Sequence, residues 1–204
     1  MPALIRWYYS SCIWQMPSSE PAVYLTFDDG PHPEITPWVL EQLRKWNVRA
    51  TFFCIGSRVQ QYPDIMAQIL QEGHTVGNHT HTHLNGWKTS DDVYMKNIQQ
   101  AREWMPSGLF RPPYGRIRRS QIKELIHSSG DRVVMWSLLS GDFDRSISGE
   151  QCMRNVLTTI RSGDIVVFHD SEKAWERLEY CLPRILAHIK DKKWEGKRLE
   201  YKYL

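Results

Sequence analysis

A chain of 204 residues with 41% hydrophobic content can bury one core, and no Ser/Gly/Pro-rich linker divides it, so the sequence predicts a single domain. The formal net charge of +3 is mild and the lysines and arginines are scattered, which argues against a nucleic-acid partner; the basic stretch KDKKWEGKRLEYKYL at the end reads as a solvated surface. The cysteines, Cys12, Cys54, Cys152 and Cys181, are widely spaced with no CxxC pair, which argues against a disulfide framework and against a thiolate zinc site.

Residues 1–21 read as an N-terminal extension packing on the domain formed by residues 22–204. The run MPALIRWYYSSCIWQMP is interrupted by Arg6 and by Ser10-Ser11, short of the continuous apolar region of an export signal, and no stretch approaches a membrane span. The expectation is a soluble, cytoplasmic protein with no integral membrane segment. Trp7, Tyr8, Tyr9 and Trp14 are expected to pack across one end of the domain, with peripheral contact to a membrane surface as the alternative.

From residue 22 onward, strands alternate with helices. Short apolar, β-branched and aromatic runs at residues 22–27, 50–55, 132–138 and 164–168, with a shorter one at 75–77, read as buried strands. Helical spacing places Val39, Leu40 and Leu43 on one helix, and Ile65, Ile69 and Leu70 on the next. Ile122, Leu125 and Ile126, then Val156, Leu157 and Ile160, mark two more, and the last runs through Trp175, Leu178, Leu182, Ile185 and Ile189. Ser90, followed by Asp91 and Asp92, marks the start of a helix reaching about Trp104. Residues 199–204 read as a final strand. The alternation implies an α/β fold with a mostly parallel sheet, open or closed into a barrel, with the working residues at carboxyl ends of strands.

Polar motifs fall at those ends. TFDDGP puts Asp28 and Asp29 side by side after the first strand, and two adjacent carboxylates stay ionised only beside positive charge, a metal ion or an arginine. GNHTHTHLN carries His79, His81 and His83. If the segment forms a helical turn, His79 and His83 share a face and His81 points elsewhere. Two imidazoles with one carboxylate make a three-ligand set typical of catalytic zinc. In FRPPYG the prolines stiffen a loop that presents Arg111 and main-chain N–H groups. SGDFD brings Asp142, and IVVFHD ends a strand with His169. His32 and Asp170 are extra polar neighbours, read either as support for the site or as turn residues.

TFDDGP, HTHTH, RPPYG, SGDF and IVVFHD, in this order, resemble the five motifs of the polysaccharide deacetylase family, also called carbohydrate esterase family four. The resemblance implies a distorted, incomplete (β/α) barrel and makes residues 22–204 a catalytic domain that removes acetyl groups from N-acetylated carbohydrates such as N-acetylglucosamine polymers. It implies that Asp29, His79 and His83 hold a divalent metal, zinc by default with cobalt or nickel as alternatives, and that Asp28 is the general base, paired with Arg111. It further implies that the Tyr114 backbone N–H contributes to an oxyanion hole and that His169 is the general acid, supported by Asp142. Phe143 stands where the family commonly has Trp, and Val167 where it commonly has Leu; both keep an apolar wall, so the departures bear on substrate fit. Two other activities fit the same motifs: an O-acetyl esterase or deformylase, and a non-catalytic carbohydrate-binding relative, although the latter is expected to lack the acid or the base.

Overall fold

The computed structural model describes residues 3–17, 20–105 and 107–200. A short helix α1 (Ala3–Tyr8) precedes the strands β1 (Ala22–Asp28), β2 (Thr51–Cys54), β3 (Thr75–Asn78), β4 (Leu109–Phe110), β5 (Arg132–Val133), β6 (Leu138–Leu139), β7 (Ile165–His169) and β8 (Glu195–Gly196). Between them run α2 (Ile35–Lys45), α3 (Gly56–Gln61), α4 (Pro63–Gln71), α5 (Asp91–Arg102), α6 (Arg119–Ser129), α7 (Gly149–Leu157) and α8 (Trp175–Asp191). The strand order is β5-β4-β3-β2-β1-β7-β6, with β8 against the start of β1, and every pairing is parallel.

β5 and β6 stand at opposite ends of that order, yet only residues 134–137 join them. Neighbouring strands lie about 4.8 Å apart, so the ends of a flat seven-stranded sheet would be roughly 29 Å apart. Five residue steps reach at most about 18 Å. The sheet is therefore forced to curl, and it forms the incomplete (β/α) barrel with helices outside. The segment after α1 crosses the open side: the Ile13 N–H donates to the Val133 carbonyl at 2.8 Å, Met135 N–H to Ile13 O at 2.7 Å, and Met16 N–H to Gly163 O at 2.9 Å.

Strand alternation sorts side chains into two faces. Phe27, Phe52 and Phe168 are cross-strand partners, and their rings stack at 5.1 and 5.7 Å on the helix-facing side. That layer joins the apolar stripes of α2 and α8 in the main core. Thr26, Asp28, Phe53 and His169 fall on the opposite, inner face.

The sequence-based elements differ from the structure in four places. The run at residues 132–138 is not one strand but β5 and β6 with an irregular link, because the carbonyls of Val134 and Met135 serve Arg111 rather than a neighbouring strand. Among the described residues the last strand is Glu195–Gly196; of the strand expected at 199–204, Leu199 is buried and with Glu200 stands outside any strand, and residues 201–204 lie outside the described residues. The helix at Val156 starts earlier, at Gly149, where Ser148 accepts a hydrogen bond from the Gln151 N–H, and ends before Ile160. The sequence reading passed over α3. It begins at Gly56, where a Cβ would stand 2.7 Å from His81 Nδ1, so only glycine fits. All four cysteines are free and buried, with the Cys152 and Cys181 sulfurs 3.4 Å apart between α7 and α8. Of the N-terminal aromatics, Trp14 is buried and hydrogen-bonded to Tyr9 O, whereas Trp7 and Tyr8 are exposed.

Phe27→Ala is expected to lower stability by about 3–5 kcal/mol, the range for emptying a buried aromatic site, read from denaturant midpoints. A second expectation concerns His74, whose Nδ1 accepts the Ala50 N–H while Nε2 is buried without a partner. Burial, then the Arg49 charge, lowers its pKa to about 4. The unfolded chain therefore binds more protons than the native one between pH ~4 and the unperturbed histidine value of ~6.5. Stability should fall as pH drops through that window, and His74→Gln should flatten the slope in urea melts across the same range.

Candidate active site

The parallel register assembles the floor of the site. Asp28 ends β1 directly opposite His169 on β7 and Phe53 on β2. Arg111 follows β4 and reaches across the barrel over the Phe53 ring, with the guanidinium 4.0 Å from the ring centroid. It is fully buried, and each of its nitrogens donates: Nη1 to Asp28 Oδ1 and Thr26 Oγ1, both at 2.7 Å, Nη2 to Met135 O at 3.0 Å and Nε to Val134 O at 3.2 Å. The buried positive charge is thus matched by the Asp28 carboxylate and fully solvated by protein oxygens.

Asp29, His79 and His83 meet beside this pair. Asp29 Oδ1 lies 3.1 Å from His83 Nε2 and 3.7 Å from His79 Nε2. The helical turn expected for the histidines is absent. Residues 79–83 form a loop in which Thr80 and His83 have positive φ, 65° and 57°, and this path aims the two rings at one point. His79 Nδ1 donates to Arg111 O at 2.8 Å, which leaves Nε2 as the unprotonated nitrogen facing Asp29. His83 Nδ1 meets the Tyr114 hydroxyl at 3.1 Å, and the two rings contact edge to face. His81 points away into the contact with Gly56 and takes no part.

The donor set fits a divalent cation. One ligand atom from each of the three residues lies within 4.8 Å of the others. Asp29 Oδ1 is buried with no aligned hydrogen-bond donor, a loss of about 1–3 kcal/mol that a cation at this point relieves. Two neutral imidazoles and a carboxylate are the usual three-ligand set that leaves a position open. The titration behaviour agrees: burial lowers the His79 pKa to about 4, and although burial acts to raise that of Asp29, the His83 contact and nearby histidine charges hold it well below the usual range.

His169 makes the opposite wall. Both oxygens of the buried Asp142 bind it, Oδ1 to the ring Nδ1 at 2.8 Å and Oδ2 to the main-chain N–H at 2.7 Å. Burial acts to lower the His169 pKa, but Asp142, with Asp29 and Asp28 beyond it, overcomes this and raises it to about 9. Phe143 packs edge-on against the imidazole at 5.2 Å. Tyr114 sits on the rim with its side chain exposed and φ at 61°.

His32 and Asp170 support the loop after β1 without reaching the reacting groups. His32 Nδ1 accepts the N–H groups of Glu34 and Ile35 at the start of α2, and Asp170 binds the Gly30 N–H and the Thr36 hydroxyl. Burial lifts the Asp170 carboxyl to about 8, against the Thr36 bond and with help from the Asp29 charge.

Sequence reading missed two residues that hold this site. Thr26 accepts from Arg111 and donates to Val166 O at 2.8 Å; its signal was a polar residue two positions before Asp28, on the same strand face. Arg177 donates from Nε to Asp142 O at 2.7 Å; its signal was a lone arginine beside Leu178 on the apolar stripe of α8.

Chemistry of this kind, on the carboxyl edge of an incomplete (β/α) barrel, is that of metal-assisted hydrolases. Residues 15–131 match the sequence profile described as polysaccharide deacetylase. The chain is 37% identical over 183 residues to a peptidoglycan-N-acetylglucosamine deacetylase of Bacillus cereus, covering 87% of this chain and 85% of the relative. It is 35% identical over 159 residues to a chitooligosaccharide deacetylase of Azorhizobium caulinodans, covering 74% of this chain and 75% of the relative. The crystal structure of the Bc1960 peptidoglycan N-acetylglucosamine deacetylase superposes with a TM-score of 0.88 at 30% identity, over 98% of this chain and 95% of that one. The chain therefore belongs to the polysaccharide deacetylase family. Among the described residues no helix is long and apolar enough to cross a membrane.

Tyr114→Phe removes the hydroxyl that orients His83. It should weaken zinc binding to the metal-stripped protein by roughly 10-fold or more, as loss of a ligand's hydrogen-bond partner typically does, read by calorimetric titration.

Proposed function

We propose that this chain hydrolyses N-acetyl groups on N-acetylglucosamine-type oligo- or polysaccharides. The observation that carries the reading is the juxtaposition of Asp28 and His169, opposite each other across β1 and β7, beside the convergence of Asp29, His79 and His83. Amide hydrolysis needs a base for the attacking water, stabilisation of the oxyanion and an acid for the departing amine. A divalent ion held by Asp29, His79 and His83, zinc by default with cobalt or nickel able to use the same ligands, supplies Lewis acidity and lowers the pKa of bound water toward ~7.

Asp28 takes the proton from the attacking water. Arg111 and Thr26 fix its carboxylate and keep its charge matched. The Tyr114 N–H, presented by the turn at Pro113–Gly115, donates to the acetyl oxygen as it gains charge. His169, protonated and held by Asp142, delivers its proton to the sugar nitrogen as the C–N bond breaks. Acetate and a free amine leave, the nitrogen carrying the proton given by His169; Asp28 then releases the proton it took from water and His169 regains one from solvent, which resets both groups. Phe143, packed on His169, walls the acetyl side.

Asp28→Asn and His169→Ala should each lower acetate release from N-acetylglucosamine oligomers by roughly 10²–10⁴-fold while zinc remains bound. Chelation should abolish the activity and added zinc, cobalt or nickel should restore it. Metal that binds tightly with no release of acetate from any N-acetylated sugar would overturn the reading. Faster release from O-acetylated than from N-acetylated sugars would assign the esterase instead.

A further inference from the structure

Beyond the catalytic centre, a cavity of about 530 Å³ opens between the end of α1 and the outer face of α6, with Tyr8 and Tyr9 on one side and Arg119, Lys123 and His127 on the other. The three basic residues recur every four positions, so they form one stripe along α6. Among the described residues none of them has a carboxylate partner, although Arg118 next to them is paired with Asp91. Helix stability alone disfavours this placement. Like charges at i,i+4 repel, and Arg119 sits in the first turn, at the positive end of the helix dipole. Arg119 and Lys123, cations with no carboxylate beside them and the first against the dipole of its own helix, are suited to an anion from outside.

A run of contacts links the cavity to the rim of the metal site. Tyr114 lies against His83. Two residues on, the Arg116 guanidinium stands 5.4 Å over the Trp87 ring, and Trp87 Nε1 donates to Ile117 O at 3.1 Å. The Tyr9 hydroxyl donates to the same carbonyl at 3.0 Å, which ties the end of α1 to this loop, and Arg119 then lies 5.1 Å over the Tyr8 ring. Along this run of contacts, exposed rings come with guanidinium groups: Tyr114 beside His83, Trp87 with Arg116, and Tyr8 with Arg119. Tyr8, Trp87 and Tyr114 are 49, 52 and 61% exposed, so part of each ring is open to a ligand. Flat rings stack on sugar faces, while the guanidinium and ammonium groups beside them take carboxylates.

We propose that this track and the cavity at its end form an accessory binding surface for an acidic glycan strand, with sugars on the rings and carboxylates on Arg119 and Lys123. The inference rests on the reading of the metal site as a glycan deacetylase. It gives residues 3–17 a task in substrate capture. Charge complementarity favours an acidic glycan over a neutral one, and the pairing of rings with cations favours a polymer over a single small anion.

The test uses N-acetylated glycan strands carrying carboxylates on alternate sugars, and the same strands with the carboxyls reduced to alcohols. Affinity electrophoresis through gels containing either strand reads binding directly, and acetate release reads kcat/KM. Intact strands should retard the protein more, and reduction of the carboxyls should raise KM with little change in kcat. Arg119→Gln with Lys123→Gln should remove most of the difference at low salt, about fivefold per charge at most for exposed ion pairs. Tyr8→Ala, which leaves the cations in place, should weaken both strands alike. Equal retardation by the two strands overturns the inference, as does a double variant, with an unchanged melting temperature, that discriminates as the wild type does. Binding to anionic phospholipid vesicles with equal retardation by the strands would reassign the surface to a membrane. Absence of acetate release from either strand, with the difference in retardation intact, would count against the deacetylase reading alone.

Discussion

The contact between Arg111 and Asp28 is the constraint around which the barrel is arranged. A guanidinium with no exposure is tolerable only if its nitrogens find oxygens, and these come from two separate parts of the chain: Thr26 and Asp28 on β1, and the carbonyls of Val134 and Met135 after β5. Those last two carbonyls are unavailable to a neighbouring strand, so the sheet is interrupted there and stays open. The arginine's own carbonyl meanwhile orients His79. One side chain thus balances the candidate base, breaks the sheet and shares its backbone with a metal-facing histidine. Removing either partner of such a buried pair leaves an uncompensated charge, typically ~3–5 kcal/mol, so a change at the candidate base also lowers the stability of the fold.

The loops above this pair are strained, and the strain is local to the site. Of the six described non-glycine residues with positive φ, four, Asp29, Thr80, His83 and Tyr114, belong to the cluster or its rim. Such backbone is held only where the surroundings over-determine it. For the histidine loop they do. Asn78 receives the Thr80 N–H on its side-chain oxygen and anchors its amide on Ile98 O, while Asn97 takes the N–H groups of His81 and Thr82. The carbonyls of Thr80 and His81 are spent on α3, accepting from Gly56 and Ser57. For the Asp29 loop the corresponding ties are Asp170, Thr36 and His32.

These two features explain what the sequence disclosed and what it withheld. β1 and β7 are continuous apolar runs, so their ends, and therefore the places of Asp28 and His169, could be read from hydrophobic pattern alone. The histidine spacing disclosed which residues meet but suggested a helical turn as the means. The actual means is a pair of left-handed residues held by asparagines, and nothing in HTHTH announces positive φ at Thr80. The run at 132–138 has strand composition throughout, and its interruption follows from a demand made by Arg111, a residue more than twenty positions earlier. His32 read either as support for the site or as a turn residue because it follows the aspartate pair; its ring nitrogen accepts the first N–H groups of α2, a role usually filled by Ser, Thr, Asp or Asn.

The site accordingly divides into two parts with different sources of precision. Asp28 and His169 stand on adjacent strands as direct cross-strand partners, so the sheet register fixes the separation of the candidate base and acid. A one-residue slip of β1 against β7 would turn Asp28 to the helix-facing side and put Phe27 in its place. The stacking of Phe27 on Phe52 and Phe168 opposes that slip, because it would drive the Phe27 ring out of the core and leave the other two without the ring between them. The metal-facing residues sit on loops, where small displacements are tolerated because an ion can draw its ligands together. The groups that must transfer protons across a fixed gap are built on the rigid element, and those that a bound ion can organise are built on the adaptable one.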